Sequence, residues 1–151
     1  MRTRNLLSNL KRFLAAVFLG AASTALATPQ IQHWQAPGGA RVYFVEDRNL
    51  PMLDVSVDFA AGSSFDPVEK SGVAGLTQGL LDLGAEGMSE DDIARGIADI
   101  GAQLGGRLDA DRSGISLRTL SSAAERNRAL EIMARVLQRP LFPEAVLTRE
   151  K

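Results

Sequence analysis

From Leu53 to Phe59 apolar and polar residues alternate strictly: Leu53, Val55, Val57 and Phe59 against Asp54, Ser56 and Asp58. Side chains of a strand point to opposite faces in turn, so this pattern specifies a strand with one dry face and one wet face. Such a strand needs an apolar layer on one side only, which a helix-covered sheet supplies. That requirement governs how the rest of the chain is read.

Residues 31–35 form a short strand, Pro37-Gly38-Gly39 a turn, and 41–46 a second strand broken at Asn49-Leu50-Pro51. Residues 103–109 and 115–120 alternate as well, and Ala110-Asp111-Arg112-Ser113-Gly114 joins them as a hairpin. Helical spacing marks three further segments. Residues 71–85 carry Val73, Leu76, Leu80 and Leu83 as one buried stripe. Ser89 with Asp92 opens a helix whose face is Ile93, Ile97 and Ile100 and which Gly101 ends; Ser122 with Glu125 opens another, faced by Ala129, Met133, Val136 and Leu137. Pro140 stops that helix, and Pro143 starts a fourth. The order β-β-β-α-α-β-β-α-α segregates strands and helices in runs. It predicts an α+β fold with a mixed, largely antiparallel sheet and helices packed on one side.

The first 27 residues read as a signal peptide. They hold Arg2, Arg4, Lys11 and Arg12 with no acid, then a ten-residue apolar core from Phe13 to Ala22, then Ala25-Leu26-Ala27 as a small-x-small cleavage site. The core is shorter than the roughly 20 residues of a membrane span, so release after Ala27 is expected rather than stable membrane insertion; an uncleaved anchor is the alternative. The protein is then periplasmic or secreted. Without the leader, residues 28–151 carry 13 basic and 18 acidic residues, a balance with no electrostatic footprint for nucleic acid or anionic lipid. The chain has no cysteine, hence neither disulfide nor thiol nucleophile.

Gly72, Gly75 and Gly79 are an odd choice inside a helix, since each interior glycine costs about 1 kcal/mol against alanine. Gly75 and Gly79 lie one turn apart on one face, with Gln78 beside Gly79. Close packing of another backbone explains such a face; a surface for a peptide substrate or partner is the functional alternative.

The same stretch resembles the pitrilysin/insulinase metallopeptidases, in which a Gly-[Val/Leu]-Ala run leads into an inverted zinc motif, His-x-x-Glu-His, on a helix. Here Gly72-Val73-Ala74 precedes Gly75-Leu76-Thr77-Gln78-Gly79. The alignment puts Gly75 and Gly79 at the two histidines and Gln78 at the catalytic glutamate. Three more stretches in order are similar to that family: 60–67, Ile100-Gly101-Ala102, and Arg139-Pro140-Leu141-Phe142-Pro143 leading to Glu150-Lys151. Together they cover nearly all of residues 31–151. The resemblance implies the first part of a pitrilysin/insulinase-like domain, and the chain is expected to be a truncated N-terminal piece of it. A complete short protein, with its sheet edge covered by a partner, is the other option.

A zinc peptidase needs imidazole and carboxylate ligands and a base for the metal-bound water. Glycine donates nothing, and glutamine lacks a basic oxygen near neutral pH. No catalytic and no metal-binding residue is therefore assigned to this chain; zinc is expected only in an active partner, and the family's third ligand falls near or beyond Lys151. His33, the one histidine, reads as a surface residue of the first strand. Asp109-x-Asp111-x-Ser113-Gly114 imitates a calcium loop, but Leu120 stands where the bidentate glutamate belongs, so it reads as a hairpin turn. The resemblance implies a catalytically degenerate, non-catalytic subunit that helps an active pitrilysin-type peptidase bind peptide substrate. The alternatives are the N-terminal part of an active zinc metalloendopeptidase whose motif lies elsewhere, and a scaffold with no proteolytic role.

Overall fold

A computed structural model describes residues 29–150; the segment 1–27, expected above to be a signal peptide, lies outside the described residues. Two units separate in the chain, with the division after Arg48. In the first, β1 (Ile31–Gln35) and β2 (Arg41–Val45) form an antiparallel ribbon that pairs Ile31 with Val45 and Gln35 with Arg41. Gly39 adopts φ +87° in its turn, a conformation that favours glycine. His33 is exposed on β1 and stacks on Tyr43 across the ribbon, ring centroids 6.3 Å apart.

The second unit is built on β3 (Met52–Phe59), β6 (Gln103–Leu108) and β7 (Ser113–Leu120), an antiparallel sheet of order β3-β7-β6. Strand β7 is central. Its Ile115, Leu117 and Thr119 are buried while Ser116, Arg118 and Leu120 are exposed, and Leu53, Val55 and Val57 of β3 share the dry face. On the wet face Asp54 and Arg118 stand opposite each other and pair through two hydrogen bonds of 2.6 and 2.9 Å. The fold is α+β, as the strand patterns require.

Helices cover the dry face. α1 (Val73–Leu80), α2 (Glu90–Ala98), α3 (Ala123–Gln138) and α4 (Glu144–Glu150) follow in chain order. Ile93, Ala129, Ile132, Met133 and Val136 pack with Ile115 and Leu117 in one core. A small ribbon, β4 (Gly84–Ala85) with β5 (Met88–Ser89), joins α1 to α2 and adds Ala85 and Met88 to that core. Among the described residues no helix is long and apolar enough to cross a membrane.

Three expectations need correction. The helix over 71–85 is shorter: α1 ends at Leu80, because Gly84 and Ala85 are drawn into extended pairing with Ser89, Met88 and Pro140. Val73, expected in its buried stripe, is 43% exposed, whereas Leu80 is buried. The Ser122–Glu125 capping box does not form either. The Ser122 hydroxyl bonds the Glu125 carboxylate and caps no backbone N–H. At Ser89 the box is complete: the hydroxyl accepts from Asp92 N–H at 3.2 Å, and the Asp92 carboxylate accepts from Ser89 N–H at 3.0 Å.

Candidate functional site

The site is the glycine-bearing helix α1 and what surrounds it. Its start is set by Asp66, six residues ahead of Gly72. One Asp66 oxygen accepts from Gly72 N–H at 2.7 Å and the other from Ala74 N–H at 2.9 Å. Those are donors that a helix start leaves unpaired, and a carboxylate there also suits the helix dipole. Gly72 makes the connection possible by taking φ +94°. The sequence shows Asp66-Pro67 only as a loop; its capping role depends on chain geometry that residue spacing does not reveal.

The loop before α1 is tied to the β6–β7 turn as well. Ser63 N–H and Ser64 N–H donate to the carbonyls of Asp109 and Ala110 at 3.1 and 2.8 Å. Asp109 closes that turn by accepting from the backbone N–H groups of Arg112 and Asp111, at 2.7 and 2.9 Å. These bonds, that to Arg112 first, hold its carboxyl below the usual carboxylate range. The segment is a hairpin turn, as its turn-forming residues require.

Among the described residues, no backbone packs closely against Gly75 or Gly79. Of these residues, a methyl group at Gly75 would meet Leu108 Cδ2 alone, at 3.7 Å, and one at Gly79 or Gly72 would meet none of them within 4 Å. The face instead borders a cavity of about 390 Å³ lined by Gly72, Gly75, Leu76, Gly79, Leu80 and Glu150. Close approach occurs at other glycines. A Cβ on Gly62 would collide with backbone of Ala110 and Arg112, and one on Gly114 with the Val57 carbonyl.

Gln78 turns away from this cavity and onto the hairpin. Its hydrogen-bond network places the amide nitrogen toward Ser113 Oγ at 2.8 Å, the Gly114 carbonyl at 2.9 Å and the Arg107 carbonyl at 3.2 Å. The amide lies so close over Gly106 that a Cβ there would come within 2.8 Å of its carbonyl carbon. Gln78 and Gly106 thus interlock α1 with β6, an edge strand among the described residues.

Sequence comparison supplies the family. Residues 41–151 match the profile of the insulinase family, peptidase family M16. The chain belongs to the insulinase family of peptidases. Similar proteins include a probable mitochondrial-processing peptidase subunit beta of Arabidopsis thaliana, 26% identical over 145 residues that span 93% of this chain and 27% of that protein. Among solved structures, the inactive domain of a peptidase M16 from Pseudomonas fluorescens superposes with a TM-score of 0.77 at 41% identity, covering 80% of this chain and 29% of that one. The chain therefore spans less than a third of the length of either relative.

Within this insulinase-family domain the described residues do not fit a zinc ion. Gly75 and Gly79 offer no ligand atom, Gln78 is committed to the hairpin, and the one carboxylate at the cavity, Glu150, pairs with Arg149 at 2.9 Å. Arg149 in turn reaches Glu90 at 3.1 Å. Among the described residues no three His, Cys, Asp or Glu side chains gather closely enough to hold a metal.

Proposed function

We propose that this chain is a catalytically degenerate insulinase-family domain that acts as the non-catalytic partner of an active pitrilysin-type peptidase and helps it bind peptide substrate. The observation that carries the reading is the glycine face of α1. It costs helix stability, borders open space rather than packed backbone, and offers no metal ligand. Two relatives lend support in what they are called: one is a peptidase subunit, the other an inactive domain. Edge strand β6 beside α1 leaves backbone donors and acceptors that an extended peptide can pair with. Zinc then belongs to the partner. The leader at 1–27 directs the protein to the periplasm or the exterior, where that partner would be met.

The test is co-purification of the full-length protein with the product of an adjacent gene carrying an intact His-x-x-Glu-His, followed by peptide-cleavage assays with Gly79→Leu. Position 79 is the better probe because its surroundings are open, so the domain should stay folded by circular dichroism. A several-fold fall in the partner's cleavage rate is expected, with no stoichiometric zinc on this chain by elemental analysis. About one zinc per chain, or no partner and a monomeric full-length protein, overturns the reading. The relatives' greater length favours one rival: an active zinc metalloendopeptidase polypeptide with its motif outside residues 1–151. Finding that motif in the continuation of this reading frame would decide for it.

A further inference from the structure

We draw no further inference here: the strongest candidate, the exposed apolar side chains of the β1–β2 ribbon, Ile31, Tyr43 and Val45 on one face and Trp34 and Phe44 on the other, carries none because nothing in the structure shows what covers them.

Discussion

Gln78, which the resemblance sets at the place of a family glutamate, carries an amide that does what a carboxylate cannot. It donates toward two carbonyls, those of Gly114 and Arg107. An ionised glutamate there would face the same oxygens with no proton to offer. Gln78→Glu is expected to destabilise the folded domain by about 1–3 kcal/mol at neutral pH, the cost of a half-buried acceptor facing acceptors. The new carboxyl's pKa should be raised in the folded state. Its penalty is therefore absent below the unfolded-state value and grows as pH rises through the folded one. Urea melts of the two proteins at pH 4 and pH 7 check this; equal stability at both pH values would show that the amide bonds contribute nothing. A second residue-scale case is Thr119, buried at 2% exposure with no hydrogen-bond partner for its hydroxyl among the described residues. Thr119→Val should hold or raise stability, by up to about 1 kcal/mol, since it removes an unpaired buried polar atom at nearly constant volume. A fall in melting temperature would reveal a partner for that hydroxyl.

At the scale of elements, α2 illustrates a start written wholly in local sequence. The Ser89 hydroxyl, then the Ser89 backbone N–H, then Arg95 hold the Asp92 carboxyl at about 2 instead of its usual 3.8. A depressed carboxyl adds stability that is present above the unfolded value and lost as pH falls from about 4 toward 2. Ser89→Ala should cost about 1 kcal/mol and flatten the melting temperature's dependence on pH across that window. A Ser89→Ala protein with the same acid profile would assign the dependence to other carboxylates. This element was legible because its cap, its face and its terminating Gly101 lie within thirteen residues. The alternation of β3 and β7 was equally plain. The end of α1 was not. Leu81-Asp82-Leu83 suits a helix, but the Gly84 carbonyl accepts from Leu141 N–H and Glu86 N–H donates to the Arg139 carbonyl, which sets Ala85 opposite Pro140, more than fifty residues away. Nor could spacing tell a glycine that admits backbone from one that leaves room. Gly75 and Gly79 look like packing glycines, whereas backbone crowds Gly62 and Gly114, and side chains crowd Gly96 and Gly106. The likeness of Gly72–Gly79 to a motif frame rests on residue order alone; that Gln78 faces Gly106 and Ser113 required the fold.

For the whole molecule, the leader supplies a prediction independent of the domain's role. If 1–27 is a signal peptide, mass spectrometry of the exported protein should find Thr28 at its N-terminus. A membrane-bound form that retains residues 1–27 would identify an anchor instead. The interlock of Gln78 with the hairpin has a consequence on a longer timescale. Of the three changes that would rewrite Gly75, Gln78 and Gly79 as His, Glu and His, the outer two meet ordinary contact or empty space, while the middle one confronts carbonyl oxygens. The steps are thus unequal, and the change at position 78 is the costliest for the fold. A lineage that keeps this hairpin can drift at positions 75 and 79, but the glutamine acts as a ratchet against a carboxylate at position 78.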